Sequence, residues 1–160
     1  MMSDNEIRIK MAEYEIAQPP QVLVTLGLGS CIGLALYDKY TKVSGLIHFM
    51  LPESNGKKDI AKYADTGIPN LIEKMVEMGA KRRNIIAKLV GGAKMFSFGD
   101  DNSVMNIGQR NAAAAKEILQ KEKIKIIAED TGENFGRTMR FFTDTGEVKV
   151  TSYKRDDLLI

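Results

Sequence analysis

The stretch from Cys31 to Met50 reads CIGLALYDKYTKVSGLIHFM, and its pattern decides the fold. Residues 31 to 38 alternate between the two faces of a strand, with Ile32, Leu34 and Leu36 on one face and Cys31 on the other. Residues 43 to 50 form a second apolar strand. Because the connection between the two is short and polar, the sequence predicts a β-hairpin here.

Outward from this hairpin, the sequence predicts further strands that alternate with two helices. A buried strand over 22 to 26 leads into a flexible corner of glycines, Gly27 to Ser30. Apolar residues at helical spacing predict helices within 60 to 78 and over 107 to 121, and the remaining strands are expected at 85–90, 124–128, 137–143 and 147–152. Two helices, six or seven strands and no repeat or linker indicate a single α/β domain over residues 1–160, with a mixed sheet.

Composition excludes several classes of protein. The 160 residues fit one ordinary domain, and 23 basic against 21 acidic residues give a net charge of +2. This imbalance is too small to argue for nucleic acid or an anionic membrane surface as a partner. No apolar run is long enough to insert into a membrane. A polar N-terminus without a signal region, and a single cysteine, favour the reducing cytoplasm.

The single cysteine and the single histidine both lie in the predicted hairpin. A two-residue turn at Lys39 and Tyr40 places Cys31 directly opposite His48, with Cβ atoms about 5 Å apart. A neighbouring imidazolium lowers the pKa of a thiol and makes its sulfur nucleophilic near neutral pH. The glycines beside Cys31 leave room for a substrate, and backbone N–H groups of Gly29, Ser30 and Cys31 could hold an oxyanion.

A structural interpretation of the same residues stays open. Cys31 could be a small buried hydrophobe, and a lone histidine is more often structural than catalytic. A register slip of one residue would also place Cys31 and His48 on opposite faces of the sheet. The spacing of Cys31 and His48 and the glycine corner favour a catalytic role, so the catalytic and the structural interpretations are about equally well supported.

Other motifs predict less. Gly27 and Gly29 suggest a dinucleotide loop, but Ile32 stands where the third glycine belongs and a strand follows instead of a helix, so this site is rejected. The chain has no pair of His or Cys residues at metal-ligand spacing, which disfavours a metal site, although Mg²⁺ held by carboxylates alone stays open. Phe96 and Phe98, in a loop with few apolar neighbours, could dock a partner or tuck beneath the loop.

These residues, taken in order, resemble the CheD family, the chemoreceptor glutamine deamidases of bacterial and archaeal chemotaxis. The resemblance is strongest over residues 22–152 and is most specific around the cysteine and the histidine. The matching stretches are TLGLGSC (25–31), HFMLP (48–52), KYAD (62–65), GGAKMF (91–96), IGQRN (107–111) and DTG (130–132).

The resemblance implies a fold, an activity and a set of roles. The fold would be a layered α/β/β/α sandwich with mixed sheets, like the catalytic domain of cytotoxic necrotizing factor toxins. Cys31 would be the nucleophile, His48 the general acid and base, and Thr25 the residue that orients His48. A Cys31 thioester would carry the deamidation of receptor glutamines, and no cofactor would be needed.

The resemblance also implies partners, and it leaves two rival functions open. The expected partners are the cytoplasmic helices of chemoreceptors and a CheC-type phosphatase. An esterase acting on receptor glutamyl methyl esters would use the same pair of residues. A non-catalytic docking module would keep Cys31 only for packing.

Overall fold

The computed structural model describes residues 5–95 and 106–160. Within them the chain forms ten strands and two α-helices. In chain order these are β1 (Glu6–Arg8), β2 (Glu13–Ala17), β3 (Val22–Leu28), β4 (Ile32–Asp38), β5 (Ser44–Phe49), α1 (Ala64–Glu77), β6 (Ile85–Gly91), α2 (Ile107–Lys121), β7 (Lys125–Thr131), β8 (Arg137–Phe142), β9 (Val148–Ser152) and β10 (Arg155–Leu159).

The strands form two five-stranded mixed sheets. The first sheet has the order β1-β3-β8-β9-β10, and the second has the order β2-β5-β4-β6-β7. Each sheet has one parallel pair at an edge, β1 with β3 and β6 with β7, and its other neighbours are antiparallel. The predicted mixed α/β fold is therefore confirmed, and the two sheets are those that the resemblance implied, where the residue pattern alone indicated one.

Two hydrophobic cores define the layers. Both α1 and α2 pack on the outer face of the second sheet, whose apolar residues include Leu34, Ile47 and Phe49. The other core lies between the two sheets and contains Cys31 and Met139. The layered sandwich is confirmed, in the order helices, sheet, sheet for the described residues, and likeness to the necrotizing factor fold stays a prediction.

The elements with strong periodicity were predicted well, and three of the four edge strands were not. Helix α2 has the predicted bounds, and the predicted hairpin is β4 with β5. Strands β1, β2 and β10 were missed, and all three lie at sheet edges, whereas the fourth edge strand, β7, was predicted at 124–128. Edge strands are short and rich in polar residues, so they lack the apolar alternation that identifies an inner strand.

The glycine corner joins the two sheets. Strand β3 belongs to the first sheet and β4 to the second, so the chain crosses from one to the other between Leu28 and Ile32. Gly27 has a φ of +68°, a left-handed conformation that favours glycine. The crossing brings Cys31 to the border of the layer between the sheets, where residues of both sheets can surround it.

Candidate active site

Thr25, His48 and Cys31 come from three different parts of the fold. Thr25 lies on β3 in the first sheet, His48 lies on β5 in the second, and Cys31 directly precedes β4. Thr25 and His48 are completely buried, whereas Cys31 keeps 9% of its surface exposed. A substrate approaching from solvent would therefore meet Cys31 before it met His48.

A hydrogen bond between the sheets links Thr25 to His48. The Oγ1 of Thr25 lies 2.7 Å from Nδ1 of His48. The same hydroxyl donates its hydrogen to the main-chain carbonyl of Ile9, also at 2.7 Å. A hydroxyl has only one hydrogen to donate, so its oxygen must accept from His48.

This arrangement determines the tautomer of His48. Because Nδ1 donates to Thr25, the neutral ring carries its hydrogen on Nδ1 and leaves a lone pair on Nε2. Nε2 is buried and has no hydrogen-bond partner among the described residues. The ring therefore holds an unused proton acceptor, as a general base requires.

The register of the hairpin differs from the prediction. His48 lies directly opposite Gly33, so Cys31 and His48 are diagonal neighbours on one face rather than an opposed pair. Diagonal neighbours are about 7–8 Å apart, and no hydrogen bond joins the two side chains among the described residues. The cause is the turn, which spans residues 39–42 and is closed by a hydrogen bond from the Asp38 N–H to the Val43 carbonyl.

Burial keeps both side chains uncharged. Desolvation lowers the pKa of His48 to about 4. Burial raises the pKa of the Cys31 thiol, although the backbone N–H of Cys31 itself, which lies at the sulfur, opposes this in part. The thiolate–imidazolium pair expected from the sequence is therefore not the resting state of this structure. At neutral pH the site holds a thiol and a neutral imidazole.

The corner residues proposed for an oxyanion differ in what their N–H groups do. The Gly29 N–H donates to the Gly27 carbonyl at 3.1 Å and is therefore engaged. The N–H groups of Ser30 and Cys31 donate to no backbone carbonyl among the described residues. An oxyanion site would thus use Ser30 and Cys31 rather than Gly29.

Sequence reasoning missed two residues that support the site. Ile9 supplies the carbonyl that orients the Thr25 hydroxyl, and it lies in a segment where the sequence carried no usable signal. Asn111, on α2, is completely buried and donates to the carbonyls of Ser30 and Met50 at 3.0 and 2.8 Å. A signal for Asn111 was present, since a buried polar residue on an apolar helix face needs partners.

Two other predictions concern a metal and the Phe96 loop. The described ranges, 5–95 and 106–160, contain no cluster of three His, Cys, Asp or Glu side chains that could hold a metal ion. Phe96 and Phe98 lie outside the described residues, so their docking role stays a prediction. Neither described helix has the length and apolarity needed to cross a membrane.

Comparison with known proteins identifies the family. The family model described as CheD chemotactic sensory transduction matches residues 50–152. A protein of Clostridium novyi is 49% identical over 93% of this chain and 94% of its own length, and one of Moorella thermoacetica is 43% identical over 97% and 95%. Both are named "Probable chemoreceptor glutamine deamidase CheD", as is a relative from Caldanaerobacter subterraneus at 48% identity over 93% and 94%.

The fold and the site define an α/β protein with a cysteine and a histidine at the border of two sheets. The chain belongs to the CheD family, which confirms the resemblance seen in its motifs. The family model begins after His48, whereas an alignment over 93% of the chain spans Thr25 through His48. The prediction of an enzyme of the protein-glutamine deamidase class is thereby confirmed.

Proposed function

We propose that this chain deamidates specific glutamine side chains of chemoreceptors to glutamate, with Cys31 as the nucleophile. The names of its relatives support the substrate. The observation that carries the chemistry is the Thr25–His48 hydrogen bond, because it leaves Nε2 of His48 free to accept a proton. The cytoplasmic location expected from the sequence is part of this proposal.

In the first half of the reaction, Cys31 attacks the side-chain amide carbon of the glutamine. The thiol proton moves to Nε2 of His48 as the bond between sulfur and carbon forms. The Ser30 and Cys31 N–H groups stabilise the oxyanion of the tetrahedral intermediate. His48 then gives its proton to the departing nitrogen, the carbon–nitrogen bond breaks, and ammonia leaves a γ-glutamyl thioester on Cys31.

In the second half, water hydrolyses the thioester. Nε2 of His48 accepts a proton from the water as its oxygen attacks the same carbon. The carbon–sulfur bond breaks, and His48 returns the proton to the Cys31 sulfur. The products are glutamate and the original thiol, so each cycle restores the enzyme, and none of its steps calls on a cofactor.

The resting state makes proton transfer part of the attack. Because burial keeps Cys31 as a thiol and His48 neutral, the thiolate forms only when the proton can pass to Nε2. The gap between diagonal neighbours must therefore close when substrate binds, by a change of side-chain rotamer. Catalytic hydrogen bonds that are long in an unliganded enzyme commonly tighten in this way.

The product explains why a receptor would respond. Each converted glutamine adds one negative charge to the receptor helix, and added charge shifts the balance between signalling states through local repulsion. The proposed partners are the cytoplasmic helices of chemoreceptors. A CheC-type phosphatase is a second proposed partner, which the resemblance alone supports.

Ammonia release from purified receptor fragments tests the proposal. Wild-type protein should release ammonia, and mass spectrometry should find glutamate at specific glutamine positions, while Cys31→Ala and His48→Gln should release none. Methanol release from methylated fragments without ammonia would identify an esterase instead. Binding to the fragments that survives Cys31→Ala, with neither product formed by the wild type, would identify a docking module.

A trapped intermediate tests the thioester. Hydroxylamine added during turnover should convert the receptor glutamines to hydroxamates with the wild type and not with Cys31→Ala, because it competes with water for the thioester. Ammonia release without any hydroxamate would argue for direct attack by water.

A further inference from the structure

The carbonyl groups of Gly29, Ser30 and Cys31 each accept a hydrogen bond from a residue far away in the sequence. The Gly29 carbonyl accepts from the Ala93 N–H at 2.9 Å, and the Cys31 carbonyl accepts from the Gly92 N–H at 2.9 Å. The Ser30 carbonyl, between them, accepts from a side chain, the Nδ2 of Asn111, at 3.0 Å. The backbone of the corner is therefore fixed one peptide at a time.

Fixing a carbonyl also fixes the N–H of the next residue. A trans peptide is planar, and its N–H points opposite to its carbonyl. The contact with Ala93 therefore turns the Ser30 N–H away from the strand end at Gly91. In the same way, the contact with Asn111 turns the Cys31 N–H away from α2, and this N–H lies at the Cys31 sulfur.

A second contact of Asn111 relates the two catalytic side chains. The same Nδ2 donates to the Met50 carbonyl at 2.8 Å, two residues beyond His48. One amide group thus joins the chain beside the nucleophile to the chain beside the base. Helix α2 can approach closely enough for this because residue 108 is glycine, and a Cβ there would lie 2.5 Å from the carbonyl oxygens of Gly92 and Ala93.

The hydrogen bonds of the buried Asn111 side chain indicate that its amino group, rather than its oxygen, is the group that has a role. Asn111 is completely buried, and its Oδ1 has no hydrogen-bond partner among the described residues. A buried amide with an unpaired oxygen is a poor solution for stability alone, where an apolar side chain would serve. Both hydrogens of Nδ2 are used, by Ser30 and by Met50.

We propose that Asn111 is a positioning residue that aims the Cys31 N–H at the oxyanion of the deamidation reaction. This inference rests on the proposed function, since it concerns the tetrahedral intermediate of that reaction. Asn111 acts through the Ser30 peptide and does not itself touch the substrate.

Two reactions of the same sulfur separate positioning from support of the fold. Deamidation forms an oxyanion and needs the Cys31 N–H, whereas alkylation by iodoacetamide displaces iodide from a saturated carbon and forms none. Asn111→Ala and Asn111→Asp should therefore lower kcat for ammonia release by at least about tenfold, since loss of a whole donor costs about 100-fold or more. The rate constant for alkylation of the Cys31 thiolate, taken from the pH dependence of the rate so that a change in thiol pKa is separated from it, should stay within about twofold, because the exposure of the sulfur is unchanged.

Ala115→Gly is the matched control. Ala115 is a completely buried residue of the same helix with no side-chain hydrogen bond to the corner. Glycine there weakens the helix and lowers the melting temperature without removing the Ser30 contact. Its kcat at a temperature well below melting should stay within about twofold of the wild type, which shows that weakening α2 is not sufficient to lower kcat.

Each of the remaining outcomes rejects either the positioning role of Asn111 or the proposed function. Equal kcat in the wild type and the Asn111 variants rejects the positioning role alone. A thiolate alkylation rate constant that falls in parallel with kcat assigns Asn111 to general support of the site and also rejects the positioning role, as does failure of both variants to fold where Ala115→Gly folds. A wild-type protein that releases no ammonia from receptor fragments rejects the proposed function, and this inference with it.

Discussion

The corner that carries Cys31 and the strand that carries His48 are held in different ways. Cys31 lies outside a strand, and hydrogen bonds from Gly92, Ala93 and Asn111 fix the backbone around it. His48 lies inside β5, paired with β4 on one side and β2 on the other, and its ring is oriented by one hydroxyl from the opposite sheet. The nucleophile is positioned through main-chain carbonyls and the base through a side chain.

This difference means that the two halves of the site can be damaged separately. A change at residues 91–93 or at Asn111 should move the oxyanion donors beside the sulfur and leave the His48 tautomer intact. A change at Thr25 should do the reverse, because its hydroxyl bonds to the His48 ring and the Ile9 carbonyl and not to the carbonyls of residues 29–31. Measurements that read the sulfur and the ring independently can therefore test the distinction.

The largest effect is expected from Gly91→Ala. A Cβ at this position would lie 2.3 Å from the Cys31 carbonyl oxygen, and the φ of +111° is strained for any residue with a side chain. The Cys31 peptide must move, and a shift near 1 Å at a reacting group can cost about 100-fold in rate. Ammonia release should fall by about that factor, measured on protein that retains cooperative thermal unfolding.

Gly79→Ala is the control for backbone strain. Gly79 follows α1 with the same φ of +111°, but a Cβ there would have no atom within 4 Å. This variant should lose stability as Gly91→Ala does and keep wild-type turnover. If folded Gly91→Ala turns over as fast as Gly79→Ala, the carbonyl contacts do not position the nucleophile.

Apolar periodicity predicted the central elements of the fold but not the register of the hairpin that carries the site. Strong alternation identified β4 and β5, and helical spacing identified α2 to the residue. The register was wrong because the Asp38 carboxylate accepts from the N–H groups of Tyr40 and Thr41 and draws the turn one residue further along the chain. Strand pairing depends on such turn geometry, which apolar periodicity does not record.

Within the site, residue chemistry was predictable and tertiary support was not. Cys31 and His48 are the only residues of their types, and the motif resemblance added Thr25. Ile9 contributes only a main-chain carbonyl, which any residue could supply, so no side-chain pattern could reveal it. The resting charge state also required the structure, because it follows from burial between the two sheets.

On the side of the base, stability should depend on pH through His48. The pKa of this ring is lowered to about 4, below the ordinary 6.5, because burial disfavours its charged form. Its contribution to stability is complete above pH 6.5 and is lost as the pH falls towards 4, since only the unfolded chain then binds the proton. At pH 5 the loss is about 2 kcal/mol, or about 30-fold in the unfolding equilibrium.

Urea unfolding at pH 7 and pH 5 measures this dependence. His48→Gln removes the titrating ring and leaves all carboxylates, so its free energy of unfolding should change less than that of the wild type over this interval. An equal change in both proteins would mean that His48 is not buried in its neutral form.

Removing the Thr25 hydroxyl should have a smaller effect on the rate than moving the corner. Thr25→Val leaves the ring hydrogen on Nδ1 and the Ile9 carbonyl without a partner, and the tautomer of His48 is no longer fixed. Deamidation should fall about tenfold or more, whereas Thr25→Ser, which keeps the hydroxyl, should stay within about threefold of the wild type.

Nitrogen NMR can read the tautomer directly, because the chain has a single histidine. The wild type and Thr25→Ser should show the hydrogen on Nδ1, and Thr25→Val should show a mixture of tautomers. Wild-type turnover in folded Thr25→Val would reduce the triad to a pair of Cys31 and His48.

The smallest expected effect is on the resting reactivity of the sulfur, and it tests whether the two halves of the site are coupled before substrate binds. Burial raises the pKa of Cys31, so iodoacetamide should alkylate the folded protein several-fold more slowly at pH 7.5 than the same protein unfolded in urea. The chain has one cysteine, so the mass of the product reports this site alone. The logarithm of the rate should rise with pH up to pH 9 without a plateau, and His48→Gln should change it little, because a neutral ring does not stabilise a thiolate. A plateau below pH 7.5 that His48→Gln abolishes would show instead that a thiolate–imidazolium pair exists at rest.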